Sequence, residues 1–227
     1  MENEKDWFRR SLSFLKPHRE VPLVSWTATH PWQISSLRLS ILILGLALFG
    51  VGDALIITSA LGNAPWSVLA QGLSINYGIS IGLATVIVGL IVLALWIPLK
   101  RKIGLGTILN ILFISLFIDI GLFLFTTPQT LIGQVTLLLI GIALVGLGSS
   151  LYLTCGLGAG PRDGLMTGLN ERTGIRIGRI RLSIEVVVLT LGWLLGGTVG
   201  LGTALFALLI GQSVAIWLGV VSRSTSR

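Results

Sequence analysis

The chain has 227 residues, 53% of them hydrophobic and only 11% charged, with a mean hydropathy of +0.91 and one cysteine, Cys155. Soluble domains carry roughly 25% charged residues, so this composition excludes an ordinary water-soluble domain, and a lone cysteine excludes an internal disulfide. A net charge of +7 with a pI of 10.5 invites a nucleic-acid reading, which the placement of the charges removes.

The first 38 residues are basic, with Lys5, Arg9, Arg10, Lys16, Arg19 and Arg38. No uninterrupted apolar stretch with a small-residue cleavage site follows the first charges, so this is not a secretory signal. Trp7, Phe8, Leu12 and Leu15 can share one side of a short helix lying in the membrane interface. The alternative is a partly disordered tail anchored by Trp26 and Trp32. His18 and His30 both fall in this segment, with no Cys or His partner at ligand spacing.

Six apolar runs of about 20 residues follow, each long enough to cross a hydrocarbon core of roughly 30 Å. They occupy about 39–61, 79–99, 104–125, 130–155, 178–198 and 202–221. The remaining basic residues cluster between runs two and three (Lys100, Arg101, Lys102), around the start of run five (Arg162, Arg172, Arg176, Arg179, Arg181) and at the end (Arg223, Arg227). The connections at 62–78, 126–129 and 199–201 contain none. Alternate loops are basic, as the positive-inside rule requires. Both termini are therefore expected on the cytoplasmic side, and the partner of the basic residues is the lipid bilayer and not nucleic acid.

Displacing the sequence by 96 superposes residues 45–121 on 141–217 without a gap, and 29 of the 77 pairs are identical. Nine of the eleven glycines in the first copy meet a glycine in the second. Each copy holds three runs, an odd number, so the second copy is expected to enter the membrane in the opposite sense. The expected fold is an all-α membrane protein of six transmembrane helices in two inverted three-helix repeats. They span 39–125 and 130–221, joined by a short outer loop at 126–129 and followed by a cytoplasmic tail, 222–227. Inverted repeats of this kind are the architecture of many secondary transporters.

The best-preserved element is LGNAPWS at 61–67, matched by LGAGPRD at 157–163. A glycine suited to a left-handed cap ends one helix, and Pro65 or Pro161 opens the next, where a missing N–H costs nothing. Residues 65–77 and 161–173 are expected to be short helices, re-entrant or interfacial, ended by Gly78 and Gly174. Ser67, Gln71 and Ser74 form a polar stripe on the first, as Asp163, Thr167 and Asn170 do on the second. A helix N-terminus presents unpaired N–H groups and partial positive charge. The candidate ligand-binding residues are therefore Gly62, Asn63, Pro65, Ser67 and Gln71, with Gly158, Gly160, Pro161, Arg162, Asp163 and Thr167. The competing reading is that both helices merely plug the bundle.

Three acids fall inside apolar runs, where a carboxylate is expensive and often functional: Asp53, Asp119 and Glu185. Their counterparts in the other copy are Ser149, Ala215 and Gly89. Acids that break the symmetry of a repeated frame are candidates for coupling a proton or cation. Against this, Asp119 can reach the outer surface and Glu185 can pair with Arg181 one turn away. Asn110, Gln134 and Gln212 are expected to make interhelical hydrogen bonds.

The motif in two three-span halves resembles the bacterial YczE/YitT/YyaS-like integral membrane family, most nearly its YczE-type members, over roughly residues 38–221. Ser67 stands where that resemblance implies an acid. It implies a multi-pass architecture in the bacterial plasma (inner) membrane and no particular substrate. The functional expectation is a secondary transporter of a small solute, the site lying between the halves. The alternatives are a substrate-binding subunit of an importer that needs an energising partner, and a scaffold or regulator of a membrane-associated enzyme. A homo-oligomer is compatible with each. No Ser/His, metal-ligand or paired-acid constellation stands at catalytic spacing, so neither an enzyme nor a cofactor or metal is expected.

Overall fold

The computed structural model describes residues 17, 18 and 20–225; the expected helix around Trp7–Leu15 lies outside them. Those residues form nine helices and no strand: α1 (Ser36–Thr58), α2 (Pro65–Tyr77), α3 (Ile81–Ala94), α4 (Trp96–Leu99), α5 (Leu105–Leu124), α6 (Leu131–Thr154), α7 (Pro161–Thr173), α8 (Ile177–Leu194) and α9 (Leu201–Thr225). Helices satisfy every backbone group internally, which hydrocarbon demands. Five stretches are long and apolar enough to cross a membrane: α1, α3 with α4, α5, α6 and α9. The sixth expected span corresponds to α8. Its 18 residues include Arg179, Arg181 and Glu185, which set it apart from the other five.

Local chemistry explains the boundaries. Ser35, Ser80 and Thr130 cap α1, α3 and α6 by accepting a first-turn N–H. Pro65 and Pro161 open α2 and α7, and Gly78 and Gly174 close them in left-handed conformation. Run two breaks into α3 and α4 ahead of Pro98, whose ring removes an N–H.

The copies share backbone detail as well as sequence. Eight described residues have positive φ, and they form four pairs at the 96-residue spacing: Ala60 with Gly156, Gly62 with Gly158, Gly78 with Gly174, and Lys100 with Gly196. Gly62 and Gly158 have φ of 111° and 117°, a region that L side chains rarely adopt.

The copies also interlock reciprocally. The Gly202 N–H donates to the Leu61 carbonyl at 2.7 Å, and Gly106, its counterpart, donates to Leu157 at 2.8 Å. In the centre α1 crosses α6 so closely that a Cβ at Gly52 would lie 2.8 Å from the Gly141 carbonyl oxygen. In the exchanged contact, a Cβ at Gly148 would come closer still to the Gly45 carbonyl oxygen. Small residues permit such backbone approach in a bilayer. At the periphery the α2 backbone at Val68 and Leu69 lies over Gly192, while the Trp96 ring of α4 fills the space over Gly164 of α7. The second copy supplies the glycine in both contacts.

One pair of seams differs. The α3–α5 seam is closed: Asp119 accepts from Ser80 Oγ at 2.6 Å and from the Gly82 N–H at 2.7 Å, and a Cβ at Gly82 would collide with Ser115 and Asp119. In the equivalent α8–α9 seam, Gly178 and Gly211 have no described residue within 4 Å of an added Cβ, and Ala215, whose carbonyl accepts the His18 N–H at 2.8 Å, replaces Asp119. Residues 26–31 strap across both copies: Trp26 Nε1 donates to Thr154 and the Ala28 N–H to Cys155 at the second copy's turn, while the Leu105 N–H at the start of α5 donates to Pro31.

Candidate functional site

Where α1, α2, α6 and α7 converge, the chain encloses a cavity of about 310 Å³ that reaches α3, α5, α8 and α9. Nine pairs of its lining residues are counterparts at the 96-residue spacing. Four of them are alike in character: Phe49 with Val145, Ala64 with Gly160, Pro65 with Pro161, and Ile114 with Ile210. The other five differ in polarity: Asp53 with Ser149, Trp66 with Arg162, Thr85 with Arg181, Gly89 with Glu185, and Asn110 with Phe206. A repeated frame carries a non-repeated lining.

The first turns of α2 and α7 both face this space. Each opens at proline without a side-chain cap. The N–H groups of Trp66 and Ser67, and of Arg162 and Asp163, therefore have no intrahelical acceptor. The two ends meet directly, with the Arg162 guanidinium over the Trp66 ring, 4.8 Å from its centre. That is cation–π geometry.

Each acid in the cavity already holds a donor. Ser67 Oγ contacts both oxygens of Asp53, at 2.9 and 2.7 Å, and Asp53 is 3% exposed. Tyr152 donates to Asp163 Oδ2 at 2.6 Å. Arg181 Nε pairs with Glu185 Oε1 at 2.8 Å. The first two bonds exchange roles between the copies: the acid is on long helix α1 in one and on short helix α7 in the other. Arg162 sits within electrostatic reach of Asp53, Asp163, Tyr152 and Glu185.

Of the sequence candidates, Pro65, Gly160, Pro161, Arg162, Asp163, Asp53 and Glu185 line the cavity. Ser67 stands behind Asp53 as its donor. Gly62, Asn63, Gln71, Gly158 and Thr167 lie elsewhere, in the joints between the copies. Asn63 Nδ2 donates to Gln71 Oε1 at 2.8 Å, which also accepts the Thr198 N–H at 2.7 Å. A Cβ at Gly62 would approach Gly200 and Thr203, and one at Gly158 would approach Thr107 and Gly104. Thr167 accepts from Arg101, which is paired with Glu171. Asp119 is a seam latch outside the cavity. Gln134 bonds locally to Pro128, and no hydrogen bond joins Asn110 or Gln212 to another helix among the described residues.

Sequence reasoning passed over Trp66, Ser149 and Tyr152. Two signals were available: Ser149 is the counterpart of Asp53, and Tyr152 is a polar aromatic one turn before the repeated motif.

Residues 36–218 match the family described as "Family of unknown function (DUF6198)". An uncharacterized protein of Haemophilus influenzae is 46% identical over 92% of this chain and 95% of its own length. The uncharacterized membrane protein YczE of Bacillus subtilis is 32% identical over 84% and 93%, and the uncharacterized protein YyaS of that organism 29% over 79% and 92%. No solved structure matches. With its several long apolar helices and near full-length similarity to these proteins, the chain belongs to the DUF6198 family and is a multi-pass membrane protein of the YczE type.

Proposed function

We propose that this protein is a secondary transporter of a small solute, built as two inverted three-helix repeats with the solute site at their crossing. On this reading α8 is the sixth span, its charged face turned to the cavity. The single observation that carries the reading is the difference between the two equivalent seams around one central cavity. Matched halves have two arrangements of equal topology, in which the closed and open seams change places. Exchange between them exposes a fixed site to each side in turn, the mechanism common to inverted-repeat transporters. The basic clusters at 100–102 and 172–181 put the open α8–α9 seam toward the plasma-membrane cytoplasm, with both termini on that side. The closed α3–α5 seam then faces outward.

The test uses a Cys155→Ser background in proteoliposomes. Ser80→Cys with Asp119→Cys places a reducible crosslink across one seam, and Arg176→Cys with Ala215→Cys places one across the other. Uptake is measured for a panel of labelled organic anions, amino acids and amines. Saturable uptake of at least one class is expected, abolished by either crosslink and restored by reduction. Absence of uptake throughout, or uptake indifferent to both crosslinks, sinks the reading.

A further inference from the structure

The polar groups around the cavity are unequally satisfied. Asp53, Asp163 and Glu185 each hold a donor supplied by the chain itself. Three groups with donors to offer have no acceptor among the described residues. The Arg162 guanidinium makes no hydrogen bond and no ion pair, its close contact being the Trp66 ring. The Ser149 hydroxyl, on a side chain 7% exposed, and the Asn110 amide make no hydrogen bond either. Four backbone N–H groups at the starts of α2 and α7 join them. These donors line the cavity without a partner from the described residues, so this side of the cavity is short of acceptors.

The contact with the Trp66 ring leaves the guanidinium N–H groups without a hydrogen bond, and they form a planar fork. That fork matches a carboxylate bidentately. The two arginines, and about half a positive charge from each helix end, together match the most negative charge that three carboxyl groups can carry. No excess of negative field then turns an anion away. Phe49, Ile111, Val145, Met166 and Phe206 supply apolar wall to the same cavity.

We propose that the cavity binds a small organic monocarboxylate. Its carboxylate is held by Arg162, Ser149 and the converging N-termini of α2 and α7, and its aliphatic or aromatic body lies on the apolar wall. This names the solute class for the transport reading and rests on the same cavity.

The experiment measures thermal stability of the full chain in phosphatidylcholine nanodiscs against three probes sharing one branched body: 4-methylpentanoate, leucine and isopentylamine. Acetate, butyrate and benzoate complete the carboxylate series. At least one monocarboxylate is expected to raise the melting temperature saturably, 4-methylpentanoate more than leucine, and isopentylamine not at all. Arg162→Gln is expected to weaken apparent affinity at least tenfold. Arg162→Lys, which keeps the charge but not the fork, should fall between. Melting without probe checks that both variants are folded.

Stabilisation by isopentylamine or leucine in preference to the carboxylates overturns the proposal. So does silence across the series, or an anion response that survives Arg162→Gln. Replacing part of the lipid with phosphatidylglycerol separates the solute from a headgroup phosphate. Loss of the carboxylate response there assigns the donors to lipid and also overturns it. Binding without uptake would defeat the transport reading alone, whereas crosslink-sensitive uptake of amines alone would defeat only the carboxylate.

Discussion

Ser67 donates to Asp53, and its removal leaves a nearly enclosed carboxylate without its donor. Ser67→Ala is therefore expected to cost about 1–3 kcal/mol, measured by denaturant titration in detergent. Asp53→Asn, which removes the charge and keeps an acceptor, is expected to cost less. Ala60 has φ of 57°, where its counterpart is Gly156. An L residue there carries roughly 1–2 kcal/mol of strain, part of which glycine returns as unfolded-chain entropy. Ala60→Gly is expected to raise the denaturation midpoint slightly; a fall would mean that the Ala60 methyl makes packing contacts worth more than the strain. The sequence made Asp53 visible as an acid in an apolar run. Ser67 as its partner was not visible, because a contact between residues 14 apart depends on the angle at which α2 returns beside α1.

At the level of helices, termini were readable and seams were not. Proline at the first position and glycine past the last mark α2 and α7 through backbone chemistry that is local in sequence. Asp119 illustrates the opposite case. In sequence it is one of three acids in apolar runs, and only the fold shows it receiving Ser80 and the Gly82 N–H across the α3–α5 seam. Asp119→Ala removes an acceptor from the first turn of α3, an effect of about 1 kcal/mol. The seam should loosen, so a cysteine at Ser80 in a Cys155→Ser background is expected to react faster with a polar maleimide in that variant. An unchanged rate would show that glycine packing alone holds the seam. The shorter α8 reflects the same limit. Its Arg181 and Glu185 line the cavity, a direction that hydropathy does not record.

For the molecule as a whole, the duplication was legible because glycines that permit close backbone approach cannot change without collision, so they preserve the register of the copies. The cavity was only half legible. The motif located the two helix starts, whereas the acceptor-poor side emerges from residues on α5, α6 and α7 that share no sequence pattern. Orientation is the prediction that belongs here. Tyr77 and Thr173 occupy the same place in the two copies and are both exposed. In the same cysteine-free background, Tyr77→Cys is expected to react with an impermeant maleimide added to intact cells, and Thr173→Cys only after permeabilisation. Labelling of both from one side would refute the inverted arrangement.

The fit of the α2 backbone at Val68 and Leu69 over Gly192 and of the Trp96 ring over Gly164 has a consequence for ancestry and engineering. Two copies of the first half would bring valine against tryptophan at both places, and two copies of the second would bring glycine against glycine. Neither can clasp itself: one is overfilled and the other hollow. Duplicated segments that once had interchangeable roles have become lock and key, so separately expressed halves should rescue each other and never themselves.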